Sequence, residues 1–150
     1  MTEGFWLRIG AVWGFLAVAT GAFGAHGLKE RLEATGQLAN FQTGAQYHMY
    51  MALALVTVGL LQLSGRSGPA LSVAGWAFLV GSMIFSGTLY ALGVSGQRWL
   101  GAITPIGGVL ILVGWAALAV AAGPAGARPA PVQVSSDREP VASASINSSR

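Results

Sequence analysis

The sequence predicts an all-α integral membrane protein that folds as an antiparallel bundle of four transmembrane helices. Charged residues make up only 9% of the chain and hydrophobic residues 53%, whereas a soluble domain carries about 25% charged residues. The charges leave four stretches without Asp, Glu, Lys or Arg, at residues 9–28, 34–65, 67–97 and 99–127. Each stretch supplies the roughly 20 apolar residues that cross a hydrocarbon core about 30 Å thick. We therefore expect a membrane domain over residues 1–122.

The first helix is expected at residues 5–25. Its small residues recur at spacings of three and four and share one helix face, namely Gly10, Gly14, Ala17, Gly21 and Gly24. Because lipid tails are as apolar as leucine, membrane helices associate by close approach along such faces. We predict that these glycines pack the helix against the bundle. A cleaved signal peptide is the alternative, but the apolar run continues to Leu28 and three further spans need a partner helix.

The longest connection within the membrane domain follows this helix. Residues 28–36 predict a short helix that ends at Gly36, with Leu28 and Leu32 on one face and charged residues on the other. Such a segment either lies in the plane of the membrane interface or forms a solvated connector. The sequence leaves both possibilities open.

The remaining three spans are expected at residues 45–63, 70–93 and 99–122. The turns between them are short, which suits antiparallel neighbours. In the third span, Ser82, Ser86 and Tyr90 recur every four residues, and this polar stripe should point toward other helices. In the fourth span, Pro105 removes a backbone donor, so we expect a kink or a broken turn after Thr104.

The composition changes from Gly123 onward, where proline, serine and alanine replace the periodic apolar residues. This predicts a disordered tail over residues 123–150. An even number of spans places both termini on one side of the membrane. The basic residues on that side are Arg8, Arg66, Arg128 and Arg138, and those on the other side are Lys29, Arg31 and Arg98. We predict cytoplasmic termini and basic residues that anchor helices in the lipid bilayer, not a nucleic-acid partner.

Two histidines are the first candidates for chemistry. His26 ends the first span, and His48 follows Tyr47 near the start of the second, so antiparallel helices bring them to one membrane face. They fit a metal site, a haem site, a proton relay, or imidazoles that simply bond carbonyls at helix ends. Neither histidine has an acidic residue or a second histidine at helical ligand spacing. We therefore favour the last role and expect no metal or cofactor.

Polar residues of the third and fourth spans extend this candidate cluster. The full set is His26, Tyr47, His48, Ser86, Tyr90, Thr104 and Pro105. These residues either line a small polar cavity or form interhelical hydrogen bonds, which average about 0.6 kcal/mol each. The chain has no cysteine, no nucleophile–base–acid set and no phosphate-binding motif. We therefore do not expect an enzyme.

Four ordered blocks resemble a family of small membrane proteins. They are GAFGAHGL (21–28), TGAQYHMYMALA (43–54), FSGTLY (85–90) and LGAITPIGG (100–108). The family is domain of unknown function 423, also called uncharacterised protein family 0382, and includes the animal small transmembrane protein 256. The resemblance extends over about residues 5–122. It implies a four-helix protein of the bacterial inner membrane and implies no reaction.

The chain departs from the family pattern at Met51, where the resemblance implies a histidine just before the Ala-Leu-Ala-like run. His48 lies about one helical turn earlier on nearly the same face. A metal ligand would lose its geometry in such a move, whereas a capping or water-bound imidazole would tolerate it.

Three functions remain open at this stage. The first is a structural or accessory membrane protein that packs against itself or a larger membrane complex through glycine-rich helix faces. The second is a small-solute or proton transporter or channel that uses the polar cluster around Pro105. The third is an intramembrane cofactor-binding protein.

Overall fold

The structure is a computed structural model that describes residues 4–123. In chain order, its helices are α1 (Phe5–His26), α2 (Lys29–Ala34), α3 (Leu38–Leu63), α4 (Pro69–Ser95), a 3-10 helix (Arg98–Ala102) and α5 (Thr104–Ala121). Within this part of the chain, four segments are long and apolar enough to cross a membrane: α1, α3, α4, and the 3-10 helix together with α5. The predicted all-α membrane fold is confirmed. Apart from Gly123, the predicted tail (residues 123–150) lies outside the described residues.

The long helices pack in the order α1–α3–α4–α5, so α3 and α4 are the inner pair. Gly10 near the start of α1 lies against Val56 near the end of α3, and Gly24 near the end of α1 lies against Phe41 near the start of α3. The two helices are therefore antiparallel. A Cβ atom at Gly10 would lie 2.7 Å from the backbone nitrogen of Val56, and one at Gly24 would overlap the Phe41 ring. Both glycines are needed for this approach.

The other two predicted packing glycines of α1 also face α3 but leave more room. A Cβ atom at Gly14 would lie 3.7 Å from Ala52 Cβ, and one at Gly21 would lie 3.9 Å from Ala45 Cβ. These are ordinary van der Waals distances. The four glycines therefore share one face, as their spacing predicts, but differ in how tightly they pack.

The half of the bundle that contains both described chain ends has an apolar core. Trp6, Leu55, Val58 and Phe78 are fully buried there, and Ile111 of α5 joins them. Since these side chains come from four different helices, this half of the bundle is closed by direct packing.

The second span begins earlier than its polarity suggests. It was expected near residue 45, but α3 starts at Leu38. Polar side chains of the first turns form local hydrogen bonds: Asn40 Nδ2 donates to Gln37 Oε1 at 2.8 Å, and Thr43 Oγ1 donates to the Ala39 carbonyl at 2.9 Å. Because these groups need no partner from outside the helix, α3 can begin in this polar stretch.

The fourth span is broken where Pro105 predicts a disturbance. The 3-10 helix ends at Ala102, and α5 begins at Thr104 with Pro105 in its first turn. A proline in that position removes a donor that has no intrahelical partner in any case. The proline therefore starts a new helix instead of bending a continuous one.

The short helix α2 is fixed to the bundle by one leucine. Leu32 is fully buried and contacts the position of Gly93 on α4, while Lys29 and Glu33 are exposed and lie 3.9 Å apart. Gly36 ends the helix with a φ of 67°, which a glycine adopts without strain. The following amide, that of Gln37, donates to the Leu32 carbonyl at 2.8 Å, as in a Schellman motif.

Candidate functional site

A buried histidine forms the centre of a polar cluster between α1, α3 and α4. His48 of α3 is only 5% exposed. Its Nδ1 lies 3.2 Å from the Tyr90 hydroxyl of α4, and its ring centroid lies 4.7 Å from that of Trp13 of α1. Three helices therefore hold the imidazole in one orientation.

The stripe of polar residues on α4 lines the same region. Ser82 is fully buried and Ser86 is 2% exposed. Trp13 Nε1 donates to Ser82 Oγ at 2.9 Å, and that hydroxyl donates to the Leu79 carbonyl at 3.0 Å. The stripe thus points inward, and Ser82 and Trp13 satisfy each other across the helix interface.

Two buried polar atoms of the cluster have no hydrogen-bond partner among the described residues. They are His48 Nε2 and Ser86 Oγ. Most buried polar atoms in proteins are paired, because an unpaired one costs about 1–3 kcal/mol. If Tyr90 donates to Nδ1 of His48, then Nε2 carries the proton; if Nδ1 donates to Tyr90, then Nε2 is an acceptor. Either way, Nε2 has hydrogen-bonding capacity that no described residue uses.

His48 and Ser86 are among the residues that line a cavity of about 290 Å³ between α1 and α4, although the two unpaired atoms themselves are enclosed by protein. It is lined by Trp13, Leu16, Thr20, His48, Ser82, Met83, Ser86, Gly87 and Tyr90. Leu16, Met83 and Gly87 are exposed on the outer surface of the bundle, so the cavity opens sideways there. In a membrane-spanning bundle, this opening faces the bilayer or a neighbouring helix.

The accessible wall of the cavity is mostly apolar and carries little charge. His48 is its one titratable side chain besides the Tyr90 phenol, and no lysine, arginine or carboxylate lines it. Across residues 4–123, no group of three or more His, Asp or Glu side chains is arranged to hold a metal ion. The cavity therefore suits a neutral, mostly apolar molecule, and its lining lacks the carboxylate partner that commonly orients a catalytic histidine.

The structure separates the predicted cluster into several places. His48, Ser86 and Tyr90 come together at the cavity. His26 is exposed at the end of α1 and forms no side-chain hydrogen bond within the described residues, so it does not meet His48. Tyr47 lies on another side of α3, where its ring centroid is 4.6 Å from that of Phe85.

Thr104 lies at the α4–α5 interface instead. The Thr104 hydroxyl is 2.9 Å from that of Thr88, and Thr88 also donates to the Ile84 carbonyl at 2.7 Å. Pro105 is exposed. This pair of threonines is satisfied and serves as an interhelical contact.

Trp13 and Thr20 belong to the cavity but were not among the candidates from sequence. A signal for Trp13 existed, because tryptophan is typical of the membrane interface and this one lies well inside a predicted span. No comparable signal marks Thr20, because a threonine in a membrane helix usually bonds its own backbone.

Comparison with known proteins supports the resemblance seen in the sequence. Residues 20–108 match the family described as "Protein of unknown function (DUF423)". The chain belongs to this family. It is 46% identical to the UPF0382 membrane protein YwdK of Bacillus subtilis over 116 residues, which are 76% of this chain and 92% of that protein.

Relatives occur in other bacteria and in a fungus. The chain is 43% identical to a UPF0382 membrane protein of Staphylococcus epidermidis over 113 residues, covering 75% of this chain and 90% of that protein. It is 39% identical to one of Schizosaccharomyces pombe over 121 residues, covering 75% and 97%. No solved structure matches. These matches confirm an uncharacterised membrane protein family and assign it no reaction.

Proposed function

We propose that this protein is a non-enzymatic accessory component of the bacterial inner membrane, which acts by binding a small membrane-dissolved molecule in the cavity between α1 and α4. The observation that carries this proposal is a cavity whose lining includes two buried residues, His48 and Ser86, each with a polar atom that has no partner among the described residues. Polar groups inside a membrane protein are costly and commonly mark functional sites. The volume of about 290 Å³ is close to the lower end of small-molecule sites, about 300 Å³.

Binding is favoured over transport by the separation of the polar residues. A pathway across the membrane through the predicted cluster would connect His48 with Thr104. Instead, His48 faces the α1 side of α4, whereas Thr104 bonds Thr88 at the α5 side. A transporter that uses both places as one pathway therefore has less support than a binding protein.

The test is purification from native membranes in mild detergent, followed by native mass spectrometry and identification of everything that co-purifies. Gly87→Leu is the informative variant, because Gly87 lines the cavity and a Cβ atom there would meet no atom within 4 Å, so the added bulk should not disturb the fold. Ala116→Leu, on the exposed surface of α5, is the control for added bulk. We expect a bound small molecule with the unchanged protein and with Ala116→Leu, but much less with Gly87→Leu.

Retention of no molecule by the unchanged protein would contradict the binding role. The accessory role requires a protein partner. The same mass spectrometry identifies membrane proteins that co-purify, including further copies of this chain. A chain recovered without any protein partner would limit the role to binding alone.

The proposed orientation places both termini in the cytoplasm. Since the chain has no cysteine, single cysteines are specific probes. Ser67→Cys lies in the turn between α3 and α4, on the terminal side, and Glu30→Cys lies in α2, on the opposite side. In intact spheroplasts, a membrane-impermeant thiol reagent should label Glu30→Cys at once and Ser67→Cys only after permeabilisation. The reverse pattern would overturn this orientation.

A further inference from the structure

A second cavity lies beside the turn between α3 and α4, at the end of the bundle that carries both described chain ends. Its volume is about 230 Å³. It is lined by Trp6, Gln62, Arg66, Ser67, Gly68, Leu71 and Ser72. It shares no residue with the cavity between α1 and α4, and its accessible wall is polar and apolar in comparable parts. Since the turn joins two candidate spans, this cavity lies where the protein leaves the bilayer.

Arg66 is the cation of this cavity, and the end of α5 holds it in place. Its Nη1 donates to the carbonyl oxygens of Ala121 at 2.9 Å and Gly123 at 3.0 Å. A guanidinium group has five N–H donors, and those of Nε and Nη2 bond no described residue. The edge formed by these two nitrogens matches two oxygens of a phosphate or a carboxylate. Arg66 is therefore positioned with donors to spare.

No carboxylate among residues 4–123 compensates this charge. The carboxylates in that part of the chain are Glu30 and Glu33, and both belong to α2 at the other end of the bundle. Glu33 also lies 3.9 Å from Lys29. A basic pocket between membrane helices attracts anionic lipid head groups. The described part of the cavity therefore presents an uncompensated positive charge at the level of the bilayer surface.

Two further side chains of the wall offer donors and no acceptor. Trp6 is 1% exposed, and its indole N–H, which only donates, bonds no described residue. That nitrogen is not among the enclosed atoms without a partner, so part of the small exposed surface of Trp6 belongs to it. The amide oxygen of Gln62 is enclosed, so this side chain can meet a ligand only through its NH₂ group. A wall of donors around a cation selects an anion with several acceptor oxygens.

The size and surroundings of the cavity indicate a head group instead of a whole ligand. Small-molecule sites begin at about 300 Å³, and this cavity is smaller. Beside it, the ring centroid of Trp76 lies 5.3 Å from that of Trp6, and Trp76 is 50% exposed. Tryptophan is typical of the head-group level of a bilayer. Lipid phosphates lie at this depth, and acyl chains can extend from it along α4.

We infer that this cavity binds the phosphodiester head group of an anionic phospholipid, with Arg66 on the phosphate oxygens and with Trp6 and Gln62 as further donors. One cation matches the single negative charge of a phosphodiester. A zwitterionic lipid adds an ammonium group, for which the described wall has no carboxylate. This site is independent of the proposed function, because none of its residues lines the cavity between α1 and α4.

The experiment uses the full chain in an uncharged detergent, titrated with dioctanoyl phosphatidylglycerol and followed by native mass spectrometry. Dioctanoyl phosphatidylcholine is the matched control lipid, because it has the same chains and phosphodiester with an added cation. We expect saturable binding of one phosphatidylglycerol molecule per chain and about tenfold weaker binding of phosphatidylcholine. Inorganic phosphate at the same concentration should not displace the lipid.

An isosteric pair of variants tests the site without touching the bonds between Arg66 and α5. Ser67→Asp places a carboxylate in the cavity lining, and Ser67→Asn has the same shape without the charge. We expect about tenfold weaker phosphatidylglycerol binding in Ser67→Asp and about twofold or less in Ser67→Asn. Asn40→Asp, which is exposed in the first turn of α3 at the other end of the bundle, controls for net charge and should bind normally.

Arg66→Lys separates a binding role of the arginine from a purely structural one. Lysine keeps the charge but cannot form the two parallel hydrogen bonds, so we expect about fivefold weaker phosphatidylglycerol binding. A purely structural arginine would instead give a lower unfolding temperature in the absence of lipid and an unchanged affinity. That result would overturn the inference.

Three other results would also overturn it. The first is equal affinity for the two lipids, and the second is equal binding by Ser67→Asp and Ser67→Asn. The third is phosphatidylglycerol binding that occurs only in Glu3→Gln, which would show that the chain's own carboxylate occupies the cavity. Displacement by inorganic phosphate would overturn the lipid assignment and indicate a soluble phosphate as the ligand.

Discussion

The two outer helices of this bundle are attached in different ways. α5 packs against α4 along a closed interface, where Gly107 lies against Phe85 and the hydroxyls of Thr88 and Thr104 pair. α1 packs closely against α3, but it leaves a cavity against α4 with polar atoms that have no partner. Both interfaces contain small and polar residues. Among the residues that the structure describes, the α1 side leaves hydrogen-bonding capacity unused at His48 and Ser86, and the α4–α5 contact between Thr88 and Thr104 does not.

This difference shows how to distinguish packing from binding in a membrane protein. Thr104 and Ser86 are both buried hydroxyl residues within candidate spans. The first bonds a neighbouring helix, and the second faces a cavity. Since bilayer lipid tails supply no hydrogen bonds, an unpaired group is a stronger indication of a ligand than polarity alone.

The largest effect is expected at the closed interface. In Gly107→Ala, the added Cβ atom would lie 2.5 Å from the Phe85 backbone nitrogen and 2.7 Å from the Gly81 carbonyl oxygen. Backbone atoms cannot move aside as a side chain can, so we expect a loss of about 3 kcal/mol, the upper end for overpacking. Thermal unfolding in detergent measures it.

The neighbouring Gly108→Ala is the control for this change. Its Cβ atom would meet only the Phe85 ring at 3.8 Å, so stability should be unchanged or slightly higher. Equal losses at Gly107 and Gly108 would show that the α4–α5 interface is looser than described.

At the α1–α3 interface, Gly10→Ala should act in the same direction but less strongly than Gly107→Ala. At Gly10, the nearest backbone atom, Val56 N, would lie 2.7 Å from the added Cβ atom, and the next contact is a side-chain atom, Val56 Cγ2 at 2.9 Å, which can move. We expect Gly10→Ala to lose about 2 kcal/mol. Gly14→Ala should cost nothing, because its nearest atom is Ala52 Cβ at 3.7 Å. Chemical or thermal unfolding of the two variants measures the difference. A larger loss of stability in Gly14→Ala than in Gly10→Ala would contradict this prediction.

A smaller effect is expected where polar groups are already paired. Thr104→Val keeps the side-chain shape but removes the hydrogen bond to Thr88. Thr88 keeps its bond to the Ile84 carbonyl, so the loss should be near the membrane-protein average of about 0.6 kcal/mol. A double-mutant cycle with Thr88→Val isolates the coupling, and a coupling of zero would remove this pair from the interface.

The smallest loss of stability is expected for Ser86→Ala. Because Ser86 Oγ has no partner among the described residues, its removal should leave stability unchanged or raise it by up to about 1 kcal/mol. The comparison of Ser86→Ala with Thr104→Val by thermal unfolding therefore separates the two interfaces. A loss above about 1 kcal/mol in Ser86→Ala would mean that this hydroxyl is already satisfied.

Several features of the fold were predictable from the sequence because they depend on local composition. Charge-free stretches define membrane spans, since ions are excluded from the hydrocarbon core wherever the helix packs. Pro105 marks the break before α5 because its missing donor acts on its own helix. Gly36 ends α2 for the same local reason, through its positive φ.

The start of α3 was less predictable. The polar residues before Ala45 resemble a connection, but Phe41 is buried between Gly24 and Gly93 and stabilises the first turns of the helix. This packing involves residues far apart in the chain, so local polarity could not reveal it.

The sequence by itself determined that this chain is a four-span helical membrane protein of its family and that Ser82, Ser86 and Tyr90 share an inward face. Only the tertiary structure decided which polar residues meet: His48 with Tyr90 and Trp13, Thr104 with Thr88, and His26 with neither. The physical reason is that helix periodicity fixes the face of a residue on its own helix. The rotation and spacing of neighbouring helices, set by Gly10, Gly24 and Gly107, fix what that face meets, and they leave the cavity between α1 and α4.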